Sequence, residues 1–287
     1  MKIKHIVVTG ANGQLGQEFQ KLRHEEFRFT FLGSTELDIT NSRDVTNTIS
    51  TLNPDIIINC AAYTAVDQAE QEVDQAFSIN DHGANNLAII AEQLQTKLIH
   101  ISTDYVYHID KDSPLIESDS CNPLGIYGKS KRAGELSIIS QLDNHLIIRV
   151  SWLYGAQRNN FVKTMIKLGK EREELNIVSD QYGAPTYSRD LVRAIIDIIQ
   201  SHSNITGIYN YCNRGKTTWM EFAKEIFDYC KIECKVSGIN TSAYGAPAPR
   251  PLWSVMSTDK IQNLLSKEIP HWKESLADCL EELGPMT

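Results

Sequence analysis

Two tyrosines in this chain are followed four residues later by a lysine, Tyr107/Lys111 and Tyr127/Lys131. Four residues is the spacing that brings side chains together on one helix face. A lysine ammonium there stabilises a phenolate, lowers the phenol pKa from about 10, and makes the phenol a proton donor to a carbonyl oxygen. The spacing recurs by chance, so context decides. Residues 107–114 are polar, aperiodic and end in Pro114, which reads as a loop. Tyr127 follows Asn122-Pro123 and runs into a helical pattern. A third group is expected at the end of the apolar run Ile99-His100-Ile101-Ser102-Thr103-Asp104, where the Thr103 hydroxyl is the candidate to bind the same oxygen.

A ligand for this chemistry is announced at Thr9-Gly10-Ala11-Asn12-Gly13-Gln14-Leu15-Gly16. The segment lies between an apolar run and a helical pattern, as in a phosphate-binding turn. Gly10 permits the turn, Gly13 lets the backbone approach a diphosphate, and Gly16 permits close helix packing. Helix amides with their dipole supply the donors. A carboxylate ending the second strand would bind an adenosine ribose, but Phe31-Leu32-Gly33-Ser34-Thr35 carries none before Glu36. Ser34 and Thr35 offer hydroxyls and no arginine stands there. NADPH is therefore favoured over NADH by only about tenfold. A decoy is set aside: Gly128-Lys129-Ser130 resembles the end of a P-loop, but Pro123 occupies the required glycine position.

Apolar runs predict strands over 6–8, 27–32, 55–60, 97–102 and 145–150, with helices over 14–22, 41–52, 73–94 and 127–142 between them. This alternation predicts an α/β fold, a doubly wound parallel sheet of Rossmann type, with ligands at the carboxyl ends of the strands. Helices are expected at 159–169, 188–200 and 218–229, the last with a Thr218/Glu221 capping box. Residues 1–150 read as the cofactor domain. Residues 151–287 read as a smaller, interwoven substrate-binding lobe.

The 287 residues suffice for a full core, and 22% charged residues argue against disorder. A net charge of −8 without a basic block disfavours nucleic acid or anionic membrane as partner. The apolar run near the N-terminus is too short for a signal peptide. The six cysteines include no C-x-x-C pair, which favours reduced thiols in a cytoplasmic protein.

The loop form T-G-x-x-G-x-x-G resembles short-chain dehydrogenases/reductases. Longer segments resemble one extended family among them, the dTDP-4-dehydrorhamnose reductases: 62–70, 102–107, 122–128, 159–162, 180–186 and Arg250-Pro251. The resemblance implies reduction of the C4 ketone of dTDP-4-dehydro-β-L-rhamnose to dTDP-L-rhamnose, feeding cell-surface polysaccharide. It implies Thr103, Tyr127 and Lys131 as catalytic residues. Gly10, Asn12, Gly13, Gln14, Leu15, Gly16, Ser34, Asp38, Ile39, Ala61, Ala62 and Tyr63 would hold NADPH, joined by Tyr127 and Lys131. Val66, Thr103, Asp104, Tyr105, Trp152, Asn160, Phe161, Gln181 and Arg250 would hold the dTDP-sugar. Nucleotide-sugar dehydratases carry a glutamate after Thr-Asp, where this chain has Tyr105, so elimination lacks its acid/base pair. The alternatives are another dTDP-4-keto-6-deoxysugar reductase or a non-catalytic NADP-binding subunit. Some members hold Mg²⁺ between subunits with glutamates. Here Glu18 stands at one such place and Arg189 in the region of a second, so no metal is expected, and the chain is expected to be a monomer or weak homodimer.

Overall fold

A computed structural model describes residues 3–22, 24–109, 111–202 and 204–284. Six parallel strands form the central sheet: β1 (Lys4–Thr9), β2 (Phe27–Leu32), β3 (Ile56–Asn59), β4 (Lys97–Thr103), β5 (His145–Val150) and β6 (Gly207–Tyr211). Their order is β6-β5-β4-β3-β1-β2. The middle of the sheet is buried on both faces, and β1 and β3 there are accordingly near-continuous runs of isoleucine and valine. Ile6, Val8 and Ile58 pack on one face with Leu191 and Ile195 of the helix Ser188–Ser201. Val7 and Ile57 pack on the other with Leu87 and Ile138. Side-chain alternation along each strand thus feeds two separate cores.

β6 is absent from the sequence expectation. Its segment Gly207-Ile208-Tyr209-Asn210-Tyr211 opens on glycine and carries an asparagine mid-strand. Asn210 is fully buried, yet it accepts from the Tyr107 hydroxyl at 2.9 Å and donates to the Leu115 carbonyl at 3.1 Å. Its polarity is satisfied by distant groups, which a local pattern does not reveal. The helix expected over 73–94 is three pieces: Val73–Phe77, a π-helical turn Ser78–Gly83, and Ala84–Leu94. The turn holds Asn80 in the interior, where it brackets Tyr63 through both backbone groups and reaches Ser130 Oγ at 3.0 Å. A third core, with Val162, Ile166, Phe222, Ile226 and Leu276, joins the C-terminal helices. Small two-stranded sheets pair Glu174–Val178 with Lys235–Ile239, and Leu153–Tyr154 with Thr186–Tyr187. Thr218 caps its helix in the capping box read from the sequence. None of the described helices is long and apolar enough to cross a membrane.

The helix Ile126–Gln141 is fastened to the sheet through Glu135. This carboxylate accepts from Ser102 Oγ at 2.5 Å, Arg149 Nε at 2.9 Å and Arg149 Nη2 at 2.7 Å. Arg132 adds a fourth bond at 2.6 Å. Burial opposes the charge on Glu135, but Arg149 and the hydroxyl of Ser102 outweigh it and hold the carboxyl below its usual range. We predict that Glu135→Gln, which leaves the Arg149 cation buried without a counter-charge, lowers unfolding free energy by about 3–5 kcal/mol in urea titrations at pH 7. The difference should be complete above the ordinary carboxylate pKa and vanish as pH falls through the depressed native value. A loss below about 1 kcal/mol, the range of exposed pairs, would contradict it.

Candidate active site

Thr103 ends β4, and Tyr127 lies in the first turn of the helix Ile126–Gln141. Gly128 allows their approach. A Cβ there would stand 2.4 Å from the Tyr105 carbonyl oxygen, so any other residue would push the helix off the Asp104–Val106 turn. Thr103 is buried; its hydroxyl donates to Asp104 Oδ1 at 3.0 Å and accepts from Tyr105 N at 3.2 Å. Burial pushes the Tyr127 phenol up to about 12, with the Thr103 hydroxyl opposing and the Asp104 charge assisting. The phenol is therefore protonated at neutral pH, the state needed to donate to a developing alkoxide.

The sequence expectation that Lys131 lowers this pKa is corrected. Lys131 shares the helix face with Tyr127, but its ammonium turns to the strand. It donates to the Ile101 carbonyl at 2.7 Å and lies 3.2 Å from His100 Nε2. Burial brings Lys131 itself down to about 8. Behind it, side chains of three adjacent strands form a chain of contacts. Asn59 Oδ1 accepts from Thr9 Oγ1 at 2.7 Å and Ala61 N at 3.1 Å, which turns its amide nitrogen to His100 Nδ1 at 3.0 Å. With Nδ1 accepting, a neutral His100 carries its proton on Nε2, facing Lys131. A donor against a donor favours loss of the lysine proton, in the same direction as burial. Burial and the Lys131 charge keep His100 itself neutral.

Thr103, Tyr127 and Lys131 border a cleft of about 580 Å³, which is also bordered by Gly13, Gln14, Leu15, Ala62, Val66, Asp104, Tyr105, Trp152, Asn160 and Phe161. A second hollow of about 290 Å³ meets it at Gly13, Cys60 and Ala62, and is bordered by Gly10, Asn12, Ser34, Asp38, Ile39 and Ala61. Together they form a trough along the carboxyl ends of β1, β2 and β3, which suits an extended dinucleotide. Gly10 has φ +65°, and a Cβ on it would meet Ala61 N at 2.4 Å; Gly13 caps the following helix without any side-chain acceptor. Among the described residues Asp104 Oδ2 makes no hydrogen bond beside the cleft; burial raises the carboxyl to about 6, with Ser254 and Thr103 opposing.

Four expected residues lie off the trough. Gly16 is buried where the helix packs on the loop. Tyr63 turns its hydroxyl to Glu72 at 2.8 Å. Gln181 sits behind the cleft, accepting from Trp219 Nε1 at 3.1 Å and donating to Thr241 at 3.1 Å. Arg250 is paired with Asp67 at 2.7 Å. Thr35, read as a second hydroxyl for the cofactor, instead donates to Glu36 at 2.8 Å. The sequence reading missed Trp219, which borders the cleft and stacks on Trp152 at 3.6 Å. It also missed Asn59 and His100 as supports, although a histidine inside an otherwise apolar strand was a visible signal. Tyr107 and Lys111 are structural: Tyr107 is buried against Arg149, and Lys111 pairs with Asp119.

Glu18 and Glu282 face each other near the helix Gln14–Gln20, with cations between them. Arg189 reaches Glu18 at 3.3 Å and Glu282 at 2.6 Å, and Lys21 bonds both carboxylates. Among the described residues no group of three or more His, Cys, Asp or Glu is arranged to hold a metal.

Comparison with known proteins agrees with this architecture. The family described as RmlD substrate binding domain matches residues 4–284. The spore coat polysaccharide biosynthesis protein SpsK of Bacillus subtilis is 40% identical over 278 residues, spanning 96% of this chain and 97% of that protein. A dTDP-4-dehydrorhamnose reductase of Sinorhizobium fredii is 37% identical, spanning 94% of each chain. The crystal structure of the Bacillus anthracis dTDP-4-dehydrorhamnose reductase, in complex with NADP, superposes with a TM-score of 0.94 at 43% identity, covering 98% of this chain and 100% of that one. With full-length matches in sequence and in fold, the chain belongs to the RmlD family, the dTDP-4-dehydrorhamnose reductases of the extended short-chain dehydrogenase/reductase group.

Proposed function

We propose that this chain reduces the C4 ketone of dTDP-4-dehydro-β-L-rhamnose to dTDP-L-rhamnose, with NADPH as the preferred reductant and NADH as the alternative. The observation that carries this reading is Tyr127, held protonated beside Thr103 where the cleft adjoins the dinucleotide trough. Bound NADPH supplies the hydride. Thr103 and Tyr127 hold the ketone oxygen, and Tyr127 gives that oxygen its proton as charge develops. Asp104 Oδ2 takes up a sugar hydroxyl, and Trp152 with Val66 and Tyr105 encloses the sugar ring. Lys131 holds the nicotinamide ribose. Buried hydroxyl, carboxylate and aromatic groups together suit a hexose better than a simple apolar ketone. Dinucleotide, sugar nucleotide and reduced thiols all suit a cytoplasmic enzyme that supplies an activated sugar for polysaccharide.

Tyr127→Phe keeps the ring and removes the proton donor, so turnover of the 4-keto sugar nucleotide should fall about 10²–10⁴-fold. Near wild-type turnover in that variant, with the product identified by NMR, would remove the assignment.

The pH dependence should follow Lys131. Below about 8 the lysine is charged; above it the amine is neutral and its attraction for an anionic cofactor is lost. kcat/KM for NADPH is expected to decline as pH rises through about 8, and Lys131→Met should lack that decline while binding NADPH weakly throughout. A wild-type profile flat to pH 10 would show that the charge on Lys131 plays no part.

Glu18 and Glu282 are neutralised by Lys21 and Arg189 within one chain, so no bridging cation and no second subunit is needed there. EDTA should leave activity unchanged, and sedimentation should give a monomer or weak dimer. Activity abolished by EDTA and restored by Mg²⁺ would contradict this.

A further inference from the structure

We propose that Arg158 reads the adenosine 2′-phosphate and sets the preference for NADPH, an inference that rests on the dinucleotide reading of the trough. Arg158 belongs to the second half of the chain, yet it borders the smaller hollow together with Ser34, Asp38, Ile39 and Thr40. The only fixed positive charge on that hollow's lining is its guanidinium, and the only carboxylate is Asp38. Without Arg158 the lining would be net negative and would repel a dianionic phosphate. With it, the charges balance and a planar fork of donors borders the hollow.

The nearby carboxylates are turned into their own loops. Glu36 accepts from Gly33 N at 2.8 Å and from the Thr35 hydroxyl. Asp38 Oδ1 accepts from Thr40 N at 2.9 Å and Thr40 Oγ1 at 2.7 Å. The guanidinium of Arg158, in contrast, makes no hydrogen bond or ion pair among the described residues. It is an exposed donor group at the mouth of the hollow, without a partner among the described residues.

The loop that carries it is held in place. Asn160 Nδ2 donates to the Gly155 carbonyl at 2.7 Å and across the cleft to Gln14 Oε1 at 2.9 Å. Lys163 Nζ donates to the Ala156 carbonyl at 3.3 Å. The arginine is thus tied to the glycine-rich loop that would seat the diphosphate. Its backbone has φ +58°, the left-handed region where glycine sits without strain. An arginine occupies a position whose backbone suits glycine, and it borders the hollow.

The test is calorimetric titration of the wild type, Arg158→Gly and Arg158→Lys with NADPH, NADH, 2′,5′-ADP and 5′-ADP. Glycine suits the left-handed backbone, so Arg158→Gly should fold and melt at or above the wild-type temperature. It should weaken NADPH and 2′,5′-ADP by about 10- to 100-fold, the range for charge-assisted bonds to phosphate, and leave NADH and 5′-ADP unchanged. Arg158→Lys should recover part of the loss. Equal weakening of all four ligands would move Arg158 to the diphosphate and overturn the proposal, as would no weakening of any. If the wild type bound neither NADPH nor NADH, the dinucleotide reading itself would fail.

Discussion

The site depends on one buried ion pair. Glu135 and Arg149 face each other in a two-pronged contact with essentially no solvent access. Such a pair adds little net stability over an apolar core, because desolvation offsets the attraction. It does impose geometry, since a fork of donors accepts a carboxylate in few orientations. Tyr127, Lys131 and Glu135 recur every four residues on one helix face, so fixing the last in rotation fixes the other two. Ser102 binds the same carboxylate and is the residue before Thr103. The pair therefore aligns Tyr127 and Thr103 through their own chain neighbours. The contacts continue through Tyr107 to Asn210 on β6, carrying the alignment to the sheet edge.

Within that frame, burial sets the protonation states. It raises the Tyr127 phenol and lowers the Lys131 ammonium, in each case favouring the neutral form. Local helix spacing suggests direct coupling between the two. The structure instead gives each its own neighbours, Thr103 and Asp104 for the phenol, Ile101 and His100 for the lysine. Lys131, brought down to about 8, therefore changes charge within an ordinary range of pH.

What was readable in the sequence is what local chemistry determines. The glycine-rich turn, Thr218 as a helix cap, the strand ending in Thr103 and the start of the Tyr127 helix depend on neighbours within a few residues. Side-chain destinations were not readable where the partner lies far along the chain. Gln181 was expected at the ligand, but Trp219 and Thr241 hold it. Arg250 was expected on a diphosphate, but Asp67, 183 residues away, holds it. Arg158 was overlooked because its loop has no local signature. Only the fold carries it to the end of β2, whose adjacent sequence holds no arginine.

The late arrival of β6 has a consequence for biosynthesis. Until Gly207–Tyr211 emerges from the ribosome, β5 is an edge strand with unpaired amides and an apolar surface. Arg149 lies on that strand, and the Asn210 end of its bonding chain has not yet been made. A growing chain already capable of forming five strands thus waits for a sixth, exposed to pairing with other nascent chains. The exposed edge closes only when β6 adds to it and Asn210 meets the Tyr107 hydroxyl.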